Sequence, residues 1–192
     1  MLKTWAFCCH TFRESVRKAA GCEPLLSPPI TVETFCPTWM VGHSFLYFKL
    51  HGLPEQPFWY GDRWTTALSA EQIRTVSLPG STLFVANCFM SPGSPMLNAL
   101  LATGPAAVIG GDGQNYARAN TIDGADALGM FIRIWLERGF TPRNSFRFAK
   151  KLLRFISTAR PAIADALRFE LFQGGHNGDH SGVHTDPDQP AP

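Results

Sequence analysis

Charge is scarce in this sequence. Only 17% of its 192 residues are charged, and 17 basic residues against 15 acidic ones leave a formal net charge of +2. So small an excess builds no electrostatic footprint for nucleic acid, and no nucleic-acid partner is expected. Long apolar runs are missing too. No stretch approaches the ~18 residues of a membrane span, so no membrane partner is expected. The opening MLKTWAFCCH has neither a long apolar core nor a small-residue cleavage site, and does not read as a signal peptide. The five cysteines are odd in number and lack the spacing of a secreted disulfide framework, so free thiols in a cytoplasmic protein are expected. Cys8, Cys9, His10, Cys22 and Cys36 do not make paired C-x-x-C zinc ligands. His176, His180 and His184 recur at helical spacing, but Gly178 and Gly182 argue against a helix there, so no resident metal is expected. The segment Gly110-Gly111-Asp112-Gly113-Gln114-Asn115 is not a G-x-G-x-x-G and opens no helix at once, which excludes a dinucleotide site. There is no internal repeat.

What is present is the material of one globular domain. Apolar residues make up 45% of the chain, and this length buries about 70% of the unfolded surface. The domain is expected over residues 1–175. Residues 176–192, polar and rich in Gly, Asp and Pro, are expected to be a disordered tail. Ser44–Leu50 (SFLYFKL), Ser81–Asn87 (STLFVAN) and Pro105–Gly110 (PAAVIG) are almost wholly apolar, as strands buried on both faces of a parallel sheet are. Trp5–Cys9 and the β-branched Ile30–Cys36 are read as two further strands. Leu167–Phe172 alternates apolar and charged residues, which marks a sheet edge. Helices are signalled between them. Thr11–Ala20 is stopped by Gly21, Ser69-Ala70-Glu71-Gln72 is a capping box, and Ser94-Pro95 is an N-cap with proline at the first helical position. Ala125–Arg138 and a helix opened by Thr141-Pro142 complete the set. Strands alternating with helices predict a three-layer α/β/α sandwich with a mainly parallel sheet.

Two buried strands each run into a reactive side chain, Leu50-His51-Gly52 and Asn87-Cys88. In open α/β sheets, ligands bind beyond the carboxyl ends of the strands. If these strands are neighbours, a thiol faces an imidazole there, the minimal nucleophile and acid/base pair. The backbone N–H groups of Gly52 and Cys88 would then be placed for an oxyanion. The other reading is a strand-terminal His and a structural Cys that never meet. Cys8, Cys9, Cys22 and Cys36 are not expected to end a strand at that edge. After the third strand, Asp112 and Gln114 either read a substrate side chain or belong to an ordinary strand-exit turn. In Pro57–Thr66 (PFWYGDRWTT), Trp59 and its aromatic neighbours either grip substrate or pack a hairpin on the core. The 141–160 segment carries Arg143, Arg147, Lys150, Lys151, Arg154 and Arg160 with no acid, a solvated face or a surface for a protein partner.

A hydrophobic strand ending His-Gly, then a second ending in Cys, resembles the caspase-like (clan CD) cysteine peptidases, most closely their CHAT and gingipain/clostripain branches. The blocks that carry the resemblance are FLYFKLHG, LSAEQI, TLFVANCFM, SPMLNALLATGPAAVIGG and RFELFQGG, in that order, from about Phe45 to Gly175. The resemblance implies a caspase-like fold and a cysteine endopeptidase acting on protein or peptide substrates without a cofactor. His51 and Cys88 would be the catalytic pair, Gly52 and Cys88 the oxyanion donors, and Asp112, Gln114 and Trp59 the substrate contacts. The alternative is a catalytically silent module on the same fold that binds a peptide or protein partner. A thiol-based redox or transferase domain is a third class, though the sequence has no C-x-x-C. The chain departs from the family in a few places. Asn87 stands where Ala commonly precedes the Cys, Ala86 replaces the acid with which clostripain-like members read basic substrates, Gln173-Gly174-Gly175 stands where the family has Gly-Asp-Pro, and the opening part, 1–43, is shortened.

Overall fold

The structure, a computed structural model, describes residues 2–111 and 121–173. The chain order is β1 Thr4–Cys9, α1 Arg13–Ala20, β2 Leu25–Ser27, β3 Phe45–Lys49, β4 His51–Gly52, β5 Phe58–Tyr60, β6 Thr66–Ser69, α2 Ala70–Arg74, β7 Thr82–Val85, α3 Pro95–Ala102, β8 Ala107–Gly111, α4 Gly124–Glu137, α5 Pro142–Ser157 and β9 Phe169–Phe172. Six strands form the central sheet in the order β2-β1-β3-β7-β8-β9, and β4-β5-β6 form a separate small antiparallel sheet. All pairings in the large sheet are parallel except β8 with the edge strand β9.

Chain order and spatial order together place the helices. From β1 the sheet grows one way to β2, and from β3 the other way through β7 to β8. Right-handed crossovers therefore put the connecting helices on opposite faces. α1 and α4 pack together on one face, where the Arg133 guanidinium donates to the Ala19 carbonyl at 3.1 Å. α2 packs on α3. The apolar runs are the core of this sandwich: Phe45, Leu46, Tyr47 and Phe48 are fully buried, as are Leu83, Phe84 and Val85. The helix caps are those the residue types require. Ser94 accepts from the Leu97 N–H, Ser69 and Gln72 form a reciprocal box, and Asp123 and Asp126 do the same for α4.

Two features differ from the sequence reading. Ile30–Cys36 is not a strand; the second strand is the shorter Leu25–Ser27. Pro28 and Pro29 follow directly and offer no N–H to a ladder. Beyond them Thr31 and Thr34 fold the backbone on itself: the Thr31 N–H donates to Thr34 Oγ1 at 2.9 Å, and the Thr34 and Phe35 N–H groups donate to the Thr31 carbonyl. Phe35 is buried by stacking on Phe7, ring centroids 5.2 Å apart, so its apolarity serves packing and not pairing.

The second feature is a charged cluster inside the fold. Lys49, the last residue of β3, is 0% exposed. Its Nζ donates to Asp126 Oδ2 at 2.5 Å, Asp123 Oδ2 at 2.9 Å and Ser15 Oγ at 3.2 Å. The Tyr47 hydroxyl donates to Asp126 Oδ1 at 2.6 Å. One strand is thus tied to α1 and α4 by charge-assisted bonds. Burial, then the like charge of Asp123, pushes the Asp126 carboxyl up, with Lys49 opposing, and burial beside the same acids pushes the Tyr47 phenol up.

The basic segment forms α5. Part of its charge is spent inside the fold: Lys150 Nζ donates to the Phe169 carbonyl at 3.2 Å and lies over the Phe146 ring. No helix among the described residues is long and apolar enough to cross a membrane. The expected tail, 176–192, lies outside the described residues.

Candidate active site

β1, β3 and β7 run parallel, so their carboxyl ends share one edge of the sheet. The strand order reverses between β1 and β3, and crevices at such reversals are where open α/β sheets bind ligands. Three chemically active residues lie at these strand ends. Cys9 is the last residue of β1, and Phe48 of β3 pairs with Val85 of β7. His51 and Cys88 each lie three residues beyond that pair. The segments that carry them lie side by side, as the bond from the Cys88 thiol to the Leu50 carbonyl and the approach of Gly52 to Cys88 show.

Gly52 lies directly against Cys88. A Cβ on Gly52 would stand 2.7 Å from Cys88 Cβ and 3.3 Å from its Sγ, too close for any other residue type without backbone movement. Cys88 itself is 0% exposed, and its thiol donates to the Leu50 carbonyl at 3.1 Å. Burial, and after it the neighbouring Cys9, pushes the Cys88 thiol well above its usual range, so it is a neutral thiol in this arrangement.

The His51 surroundings come from the small sheet. After Lys49 the chain leaves the large sheet, and His51 pairs with Tyr60 across β4 and β5. A tight turn at Asp62–Trp64 follows β5. Gly61 before it lies so close to Ser27 at the end of β2 that no Cβ fits. Arg63 and Trp64 both hold positive φ, 55° and 59°, a conformation that costs a non-glycine residue about 1–3 kcal/mol. The turn lays Trp64 beside the imidazole, centroids 5.6 Å apart, and Phe12 meets the ring edgewise, also at 5.6 Å. Asp62 Oδ2 accepts the Thr11 N–H at 2.9 Å. Burial pulls the His51 pKa below its usual value, with Asp62 pulling the other way. His51 is therefore largely a neutral imidazole near pH 7, a state able to accept a proton.

A second cysteine occupies this edge. Cys9 is buried, its thiol reaches the Tyr60 carbonyl at 3.5 Å, and burial followed by the Asp62 charge pushes its pKa up to about 12. Donor atoms of Cys9, His51 and Asp62 all lie within 4.8 Å of one another. The expectation that no other cysteine ends a strand at this edge is corrected by Cys9. Strand-end position, the signal that selected His51 and Cys88, applied equally to it. Asp62 carried no such signal, because only the turn after β5 brings it to His51.

The aromatic loop is also settled by packing. Trp59 does not line a cleft. It is 1% exposed and its ring packs on Phe48 at 5.2 Å, so it belongs to the core and not to a substrate surface. Trp64, 60% exposed, lies against His51, with the buried Phe12 on the same ring. Asp112 and Gln114 lie outside the described residues; β8 ends at Gly111, whose carbonyl accepts the Met90 N–H at 3.0 Å.

A six-stranded, mainly parallel sheet in this order, with helices on both faces, defines the architecture as caspase-like α/β. Among solved structures the chain is similar to the crystal structure of the Arg-specific cysteine proteinase gingipain R, with a TM-score of 0.51 and 11% sequence identity. The match covers 83% of this chain and 39% of that one, so the chain spans about two-fifths of the length of gingipain R. At that identity the likeness is one of fold. No protein-family model matches the chain, and no curated protein matches it by sequence.

Proposed function

We propose that this chain is a cysteine endopeptidase, with Cys88 as nucleophile, His51 as acid and base, and a protein or peptide as substrate. The observation that carries the reading is the equal overhang of His51 and Cys88 beyond paired strands, with Gly52 packed onto Cys88. The fold shared with a cysteine proteinase supports it.

The chemistry follows from the protonation states. A buried neutral thiol needs a base, and an imidazole kept neutral by burial is one. The Cys88 thiol turns from the Leu50 carbonyl towards His51, which takes its proton as sulfur attacks the scissile carbonyl carbon. The oxyanion so formed is met by the backbone N–H groups of Gly52 and Cys88, and glycine at 52 leaves room for it. His51 then gives the proton to the leaving amine. Water, deprotonated by His51, hydrolyses the thioester and restores the thiol. No cofactor enters this sequence. Trp64, beside His51, replaces Trp59 as the aromatic substrate contact, and Asp112 and Gln114 remain the proposed readers of a substrate side chain.

The test is turnover of a peptide library together with labelling by a peptide-like thiol trap. The parent should cleave and be labelled at Cys88, and Cys88→Ala should lose both while keeping its far-UV spectrum. Equal turnover by the two proteins would overturn the assignment. A folded parent that binds peptides without cleaving them or reacting at Cys88 would establish the silent binding module instead.

A further inference from the structure

The Cys9, His51 and Asp62 cluster is built as a ligand set and is only partly used by the peptidase reading. The three residues come from three separate segments: the end of β1, β4, and the turn after β5. They meet at the reversal of strand order, the place where this class of sheet binds ligands. We propose that Cys9, His51 and Asp62 bind a zinc ion, with water in the fourth position, and that zinc there withholds His51 from acid–base chemistry. The second clause rests on the proposed role of His51; the first does not.

The donor set selects the metal. One thiolate, one imidazole and one carboxylate suit zinc, whereas calcium and magnesium take oxygen ligands. Three protein ligands with an open fourth position is a common zinc arrangement. Bonds of about 2.0–2.3 Å put tetrahedral donors about 3.5 Å apart, so the separations, all within 4.8 Å, close by no more than about 1.3 Å. His51 and Asp62 are half-buried and supply that movement, while Cys9 is a fixed floor at the end of a central strand. The surroundings match a metal site as well. The Thr11 N–H holds one oxygen of Asp62, orienting the carboxylate and leaving its second oxygen for an ion. Phe12 and Trp64 flank the imidazole and give the site an apolar wall. The two left-handed residues that fix the turn, Arg63 and Trp64, are strain located where it aims Asp62 and Trp64 at His51.

The zinc step balances simply. Zn²⁺ displaces the Cys9 thiol proton to solvent, forms bonds to sulfur, imidazole nitrogen and carboxylate oxygen, and sheds water molecules; nothing is oxidised or reduced.

The test uses the full chain and two probes, Zn²⁺ titrated against a chromogenic chelator and Co²⁺ followed by its thiolate charge-transfer absorption. One ion per chain and a tetrahedral Co²⁺ spectrum are expected. Cys9→Ser should abolish the charge-transfer band. Asp62→Ala, a half-exposed position that leaves the core intact, should weaken zinc at least about 100-fold, beyond what loss of an outer-shell partner costs. Cys88→Ala should bind both metals as the parent does. Failure of peptidase activity with these binding results intact would remove only the inhibitory role. A band that survives Cys9→Ser, a band lost with Cys88→Ala, or unchanged zinc affinity in Asp62→Ala would overturn the site.

Discussion

Replacing Lys49 by Met isolates what the buried charge cluster contributes. Methionine matches the length and volume of the lysine stem, so the change removes a cation with little change in packing. Asp123 and Asp126 would then be held inside the fold without the ammonium that lies 2.9 and 2.5 Å from them. Removing one partner of a buried ion pair costs about 3–5 kcal/mol, because the remaining charge keeps its desolvation penalty. Against a typical total of 5–15 kcal/mol that is a large fraction. At this chain length it lowers Tm by about 6–20 °C. The pH dependence has a definite sign. Burial already holds the Asp126 carboxyl above its ordinary value, and loss of Lys49 raises it further. A group whose folded pKa exceeds its unfolded one contributes stability below the unfolded pKa and loses it as pH rises through the folded value. The deficit of Lys49→Met should therefore be largest at neutral pH and shrink as pH falls towards the ordinary carboxylate range. Urea unfolding followed by circular dichroism from about pH 4 to about pH 8 measures it. Adding Asp123→Asn and Asp126→Asn to Lys49→Met should recover much of the loss. A variant within about 1 kcal/mol of the parent at neutral pH, or a deficit independent of pH, would refute the reasoning.

The low pKa of His51 predicts an acid limb of kcat/KM below the ordinary imidazole value: activity is present above the lowered pKa and lost as pH falls through it, because the protonated ring accepts nothing. Asp62→Asn should move that limb to still lower pH in metal-free buffer, and a limb moving upwards would contradict the assigned cause. Gly52→Ala forces a Cβ to 2.7 Å from Cys88 Cβ, so the backbone must shift; that shift should carry the residue-52 N–H away from the oxyanion and reduce kcat/KM by about 10²-fold or more. Full activity in that variant would show that Gly52 is not against the reacting centre. If the chain cleaves after Arg or Lys, Asp112→Ala should cut that cleavage by about 10²-fold, since it leaves a substrate cation unpaired. A preference for small or apolar residues, unaltered by the substitution, would reduce that loop to a turn.

The sandwich, its parallel strands and most helix boundaries were legible in the residues, because local rules decide them. Runs such as Phe45–Phe48 and Leu83–Val85 are apolar at every position, and only a strand covered on both faces buries every one. Ser69, Ser94 and Thr141 announce helix starts through side chains that bond their own next turn. His51 and Cys88 were selected by the same kind of rule, each following an apolar run; in the structure β3 closes at Lys49 and β7 at Val85, and both residues lie just beyond those ends. Tertiary structure decided the rest. Lys49 is the one charge in an apolar run, and only α1 and α4, packing on β3, supply the acids and hydroxyl that allow its burial. Ile30–Cys36 has strand composition, yet the prolines before it and the threonine turn within it break any ladder, and its other backbone groups go to single partners, the Val32 N–H to the Thr66 carbonyl and the Val32 carbonyl to the Gln72 side chain. Trp59 and Trp64 sit five residues apart in one aromatic segment, and pairing within the small sheet sends the first into the core while the left-handed turn after β5 lays the second beside His51. The Cys9, His51 and Asp62 cluster draws one ligand from each of three segments, so no sequence spacing encodes it. Contacts between neighbours in the chain follow local chemistry, whereas contacts across the chain exist only once a topology brings distant segments to one edge.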